Sequence, residues 1–323
     1  HGHFLSLVAQ QYRSGRDRAW LRSLWPRVAA AAGYMNSLRR KERTELNRTP
    51  ERRAYFGLMP PSISHEGYSD RPAYSYWDDF WTLAGYDAAI AIAGALERGE
   101  DARRIARQRE EFSRDLHASL RASIARHRVP YLPASADRVD FDATSTTIAP
   151  SVAGQQERLP QRELRQTFER YWKEFLARRK TEWEVYTPYE LRSVGTFVRL
   201  GWRERAGQLL DGFLADRGPV GWNQWAEVIG RVERQPRFVG DMPHGWVASD
   251  YIRSVLDLFV YERQADRSLV LAAGVPLDWL AGQGTGVRNL RTPYAELSYS
   301  LRRDGQRVVL KIEEGLRPPP GGL

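Results

Sequence analysis

The chain has 323 residues, 42% hydrophobic and 11% aromatic, enough to bury a large core and leave aromatic side chains for binding. Its 49 Lys and Arg outnumber its 40 Asp and Glu. The arginines interleave with acids along predicted helices instead of forming the clustered stripe of a nucleic-acid binder, so a solvated outer face is expected and no nucleic-acid partner. The absence of cysteine excludes disulfides, cysteine metal sites and a cysteine nucleophile, and no apolar run of about 18 residues reads as a membrane span.

Helical periodicity is present over 3–13, then a Ser-Gly break leads into a longer helix at about 17–43. Residues 44–75 hold turn formers and little periodicity, and a loop of that length inside a compact domain tends to be functional. A helix from Asp78 to about Glu97 follows, with Ala84, Ala88, Ala91 and Ala95 permitting close packing, and another helix spans about 101–127. The rhythm then repeats. Residues 129–158 are loop-rich, 160–179 are helical, and Thr187-Pro188 opens an apolar helix over 188–200, a cap followed by proline in the first turn. Gly201 breaks that helix, 203–216 is amphipathic, 223–232 reads as a short helix, and 246–262 as a clear one. Beyond about 268, LVLAAGV, AELSYSL and RVVLKIE read as strands, the last two joined by a hairpin around Arg-Asp-Gly-Gln.

Helices thus come in pairs, one bearing a motif and one rich in Arg and Glu. The expected fold is mainly α, an (α/α)6 toroid with about five to six inner-type segments over residues 1–265, followed by a small β region over 266–323. A linear solenoid has the same pairing but more uniform repeats. The chain starts at His and stops at PPPGGL, so both ends read as cut, the missing piece of the toroid is expected upstream, and the absence of a leader says nothing.

Aromatic residues, carboxylates and turn formers gather just before the predicted helices: HGHF, SISHEGYS, YSYWDDFW, FDATSTT, YTPYELR, WNQWAEV and GDMPHGWVASDY. At one mouth of a toroid these blocks would make a concave polar site walled by rings, chemistry that suits a carbohydrate. In WNQWAEV, Glu227 stands between Trp225 and Val228, where desolvation would keep a carboxyl protonated as a general acid. A surface Glu near a helix start is the plainer alternative. Glu66, beside His65 in the long loop, and Glu190, in the first turn of its helix, are the candidates for a general base. Loop scaffolding competes for the first, and pairing with an arginine such as Arg192 for the second. Trp77, Asp78, Asp142, Trp222, Trp225, Asp241, His244 and Trp246 are the candidate substrate-binding residues. Of the adjacent pair Asp78 and Asp79, one can cap the helix while Asp78 faces inward. Turn-forming hydrogen bonds account for Asp142 as well as a ligand does, and an ion pair does the same for Asp250. The histidines are too scattered for a metal site, and no Gly-rich phosphate loop or Gly-x-Ser-x-Gly elbow occurs, so neither metal nor cofactor is expected.

On these blocks the chain resembles bacterial glycoside hydrolases of the six-hairpin, (α/α)6-barrel type, the group containing trehalases and glucoamylases. YSYWDDFW is similar to the aromatic-Trp-Asp block of trehalase-like enzymes, GDMPHGWVASDY to their later Gly-Trp substrate block, and WAEV to the Glu-Val segment bearing the general acid in glucoamylases. The likeness in layout covers most of residues 1–262, and GDMPHGW lacks the Gln-Trp-Asp opening that would imply trehalose. An uncharacterised bacterial family of this type, often attached to discoidin-like carbohydrate-binding modules, is the nearest in pattern. The resemblance implies an inverting glycosidase of periplasmic or extracellular location. Three other readings stay open: a polysaccharide lyase on a similar toroid that uses Tyr and His, a non-catalytic sugar-binding module, and a terpene-synthase-like enzyme. The last rests on Asp78-Asp79 and lacks a partnering metal triplet.

Overall fold

The computed structural model describes residues 1–65, 67–181, 185–230, 240–313 and 316–323. Among these the chain is mainly helical, with nine α-helices and a small antiparallel β region toward the C-terminal end. It divides into two compact units, residues 1–167 and 168–323, so the β region shares a unit with the last helices instead of standing alone after residue 265.

The first unit opens with α1 (Gly2–Gly15), which stops where Arg16 enters the left-handed region at φ 54° and its N–H returns to the Tyr12 carbonyl. Helix α2 (Arg18–Lys41) starts on Asp17, whose carboxylate accepts from the Trp20 N–H at 2.9 Å. Helices α3 (Tyr76–Ala95) and α4 (Gly99–His127) form an antiparallel hairpin. Tyr76 Oη meets Ser119 Oγ at one end, and Asp87 accepts from Arg109 toward the other, both at 2.9 Å. Helix α4 runs in the same direction as α2: Arg18 pairs with Glu97 just ahead of α4, while Arg39 and Arg43, near the end of α2, pair with Glu111 and Asp115. The central helix, α3, is buried on almost every side, which its Ala- and Gly-rich sequence permits. The closest approach falls on Gly85, where an added Cβ would stand 2.7 Å from Gly2 Cα, and Ala89 and Ala93 are buried beside it. Ala91, expected in the packing stripe, faces water.

Residues 42–75 cross the start of α3 as two short 3-10 turns and an extended return, fastened by bridges between Ser62 and Ala73 and between Ser75 and Ser135. A short α5 (Ala143–Thr146) and a π turn follow, and α6 (Gln161–Arg178) contains the boundary between the units.

In the second unit, β1 (Val185–Tyr186) leads to the turn at Thr187-Pro188, where Thr187 Oγ accepts from the Tyr189 N–H as expected for that cap. The turn is 3-10 over Pro188–Leu191 and becomes α7 (Arg192–Arg199). Gly201, at φ 77°, turns the chain into α8 (Arg203–Ala215). The helix expected over 223–232 is absent from its described part, 223–230. There the chain is extended and forms β2 (Ile229–Gly230), paired with β1, because β-branched Val228 and Ile229 find a strand partner there. Helix α9 (Gly245–Phe259) packs along α7 in parallel: Arg192 pairs with Asp250 at 2.6 Å and Arg199 with Asp257 at 2.5 Å, seven residues on in each helix (192 to 199, 250 to 257). Gly195 allows the approach, since an added Cβ would run into the Asp257 carboxylate.

Helix α9 ends at Phe259, short of the expected 262, because Val260 turns extended and starts β3 (Val260–Arg263), which pairs with β4 (Ser268–Leu271). The chain then builds an antiparallel sheet of β5 (Thr285–Arg291), β6 (Glu296–Asp304) and β7 (Arg307–Ile312), with the expected tight turn at Gly305-Gln306. Strand β5 escaped the sequence reading because Gly286 and a bulge between Val287 and Leu290 interrupt its alternation. Leu297, Tyr299 and Leu301 of β6 close over Val260 and Leu269 to form the local core.

Candidate functional site

Two polar clusters stand at helix starts, one in each unit. In the first unit, the long loop, the start of α3 and the start of α5 bring together Ser62, Ser64, His65, Trp77, Asp78, Asp142 and Ser145. Ser62 Oγ donates to Asp78 at 2.5 Å and Ser64 Oγ at 3.3 Å. Burial pushes the Asp78 carboxyl up from its ordinary range, and the two hydroxyls oppose that only in part. Neither aspartate caps α3: Asp79 is fully buried, accepts from the Met59 N–H at 2.9 Å, and has no hydrogen-bond partner for its second oxygen. Its acidity is shifted upward even further, by burial first and the charge of Asp78 after that.

Asp142 caps α5, accepting from the Ser145 N–H at 3.0 Å and from the Ser145 hydroxyl. That hydroxyl also stands 2.8 Å from His65 Nε2. The trio resembles a Ser-His-Asp set in composition only. The carboxylate and the imidazole compete for one buried hydroxyl, whereas a nucleophilic triad requires the acid on the far ring nitrogen. The His65 ring meets Trp77 edge-on at 5.2 Å. His3 of the HGHF block lies 3.9 Å from Trp81 between ring centroids. Glu66, one of the two expected bases, lies outside the described residues.

In the second unit, the turn before α7, the segment 225–227 and the start of α9 converge. The Glu227 N–H donates to the Asp241 carbonyl at 3.1 Å and the His244 N–H to the Trp225 carbonyl at 3.4 Å, so the two segments run side by side like a short ladder. Gly240, at φ 62°, holds its Cα against the Glu227 side chain, and an added Cβ would overlap it. His244, the residue before α9, is buried, and its Nε2 lies 2.6 Å from Tyr189 Oη. Its Nδ1 faces the exposed Asp241 carboxylate at 3.9 Å. Around the Tyr189 ring stand Trp246, at 5.8 Å between centroids, and the Arg192 guanidinium at 5.2 Å. Burial, followed by the negative charge of Glu227, pushes the Tyr189 hydroxyl up to about 12, so it carries its proton at neutral pH.

The candidate residues therefore separate by environment. Trp246 and Trp222 are 46% and 60% exposed and can stack on a sugar face, whereas Trp77 and Trp225 are 4% and 3% exposed. Trp225 is a core side chain whose indole N–H donates to the Phe213 carbonyl at 2.9 Å. Glu190 is also buried: Arg178 grips both its oxygens at 2.7 and 3.0 Å, and Tyr171 adds a third bond at 2.8 Å. With its lone pairs engaged this way, Glu190 is an ion-pair anchor, poorly placed to activate water. Asp250 is in turn engaged by Arg192. Sequence reasoning missed Tyr189 although it lies inside the YTPYELR block. Nothing local marks it, because its partner His244 is 55 residues away. Ser145 was more legible, since Asp142-x-x-Ser is a capping spacing.

Among the described residues no group of His, Asp or Glu is placed to hold a metal ion, and no helix is long and apolar enough to cross a membrane. No protein-family model matches the chain, and no curated protein matches it.

Proposed function

We propose that the protein is a glycoside hydrolase with Glu227 as general acid, built on an (α/α)6 toroid. The observation that carries the reading is the convergence on Glu227 of Tyr189, His244 and exposed Trp246, a carboxyl among hydrogen-bonding groups with a sugar-stacking ring beside it. The toroid reading is supported inside each unit by the antiparallel hairpin α3–α4 and by the parallel pair α7 and α9 with α8 between them in sequence, as successive inner helices of hairpins would run. Glu227 protonates the leaving glycosidic oxygen while a second carboxylate activates water, in the inverting manner that this fold resemblance implies. With Glu190 held by Arg178, Glu66 is the base to test. Glu227→Gln is expected to abolish turnover in a screen of α- and β-glucans while leaving sugar binding intact. Unchanged turnover ends the assignment. Loss of turnover in Glu66→Gln, restored by azide, marks the base.

One observation favours a second reading, elimination on a uronate polymer, for which a hydrogen-bonded Tyr–His pair is suitable equipment: Tyr189 and His244 at 2.6 Å. Against it, burial and Glu227 keep the Tyr189 hydroxyl protonated, and proton abstraction needs the tyrosinate. Unsaturated products absorbing in the ultraviolet would decide for elimination.

A further inference from the structure

We propose that Tyr189, anchored by His244, donates its hydroxyl hydrogen to the Glu227 carboxylate and is the positioning residue for the acid step; this rests on the hydrolase reading above. Three features lead to it. The 225–227 and 241–244 segments are laced by two backbone hydrogen bonds, which fixes Glu227 relative to His244. Gly240 closes one side of the Glu227 side chain. Tyr189 Oη sits 2.6 Å from His244 Nε2, and Glu227 acts on the same hydroxyl.

A phenol has one hydrogen to give. If His244 donates from Nε2 to Oη, the hydroxyl hydrogen is free for Glu227, and the Asp241 carboxylate facing Nδ1 favours any proton on the other ring nitrogen. The remaining charges near the pair are Arg192 and Asp250, which neutralise each other. In the acid step the Glu227 proton passes to the glycosidic oxygen, which keeps the electron pair of the broken C–O bond. The carboxylate left behind takes the Tyr189 hydrogen bond, and Tyr189 keeps its own proton. A donor waiting where negative charge develops stabilises the transition state more than the ground state.

The direct test is a tyrosine ζ-carbon NMR titration, with Tyr189 assigned by its loss in Tyr189→Phe. The wild-type resonance is expected to titrate near 12, and Glu227→Gln to bring the midpoint down by ~1 on the pH scale as the adjacent charge is removed. An unchanged midpoint overturns the contact. The kinetic test uses phenyl glycosides, whose poor leaving group needs the acid. Tyr189→Phe is expected to lower kcat ~10- to 100-fold, the worth of a hydrogen bond to a charged group, with KM little changed, and to move the alkaline limb of the pH profile upward. His244→Gln, which keeps a donor, is expected to lose less than His244→Leu. A Tyr189→Phe enzyme with unaltered kcat and pH profile overturns the positioning role. If Glu227→Gln retains turnover while the Tyr189 midpoint still falls, the hydrolase reading fails and the hydrogen bond survives, so the two failures are distinct.

Discussion

The clusters at the starts of α3 and α7 hold their acids in opposite ways. In the first unit, Asp78 and Asp79 are met by two serine hydroxyls and one backbone amide, with no arginine on either. In the second, Glu190 is held by Arg178 and Asp250 by Arg192. Neutral donors satisfy a carboxylate's geometry but do not repay its desolvation, so burial drives the first pair toward the protonated form. Arginine offsets desolvation with charge and uses up the lone pairs in doing so. Glu227 belongs to neither scheme: it stands beside a tyrosine hydroxyl, which is why the chemistry is assigned to it.

Breaking an arginine clamp tests the comparison hardest. Arg192→Leu strands Asp250, which is largely buried, and is expected to cost about 3 kcal/mol in urea unfolding. The double change Arg192→Leu, Asp250→Leu should recover much of that loss. A single variant as stable as wild type would mean that the clamp does not hold the helices.

Asp79 tests the other half of the comparison. Its pKa in the folded chain is raised above the unfolded value, so the folded state binds the extra proton. That contribution is fully present below the unfolded value of about 4 and is lost as pH rises through the folded one. Wild-type stability should therefore fall relative to Asp79→Asn from about pH 4 upward, by ~1.4 kcal/mol for every tenfold gain in proton affinity that folding gives Asp79. Parallel urea midpoints across pH 3–8 would show Asp79 to be ionised.

Gly240→Ala comes next. It forces an alanine to a positive φ and into the Glu227 side chain, at an expected cost of about 1–2 kcal/mol and with turnover falling by more than that loss of stability accounts for. Turnover that merely follows the folded fraction would detach Gly240 from the site. The smallest expected effect on stability is Trp246→Ala, within about 0.5 kcal/mol because the ring is exposed, with sugar affinity lost in calorimetric titration. Trp225→Ala is its control: there about 3 kcal/mol of stability disappears with the core contact.

Much of the helical layout was legible because periodicity and caps are local. Asp17, Thr187-Pro188 and Gly201 mark helix ends where their side chains or backbone freedom act within a few residues. The Gly305-Gln306 turn is legible for the same reason. Strands were harder to read. The segment 228–230 and Val260 become extended only because distant residues offer them partners, β1 and β4.

The site residues divide along the same line. By itself the sequence determined that acids and rings collect at helix starts, since capping preferences and turn chemistry place Asp78, Asp142, Glu190 and His244 there through interactions a few residues long. Only the tertiary structure decided which acids are spent and which rings are free. Arg178 reaches Glu190 from 12 residues away, Trp225 sinks beneath Phe213, and Tyr189 meets His244 across 55. Burial and pairing depend on what the folded chain brings alongside each residue, and a local pattern of residues holds no record of that.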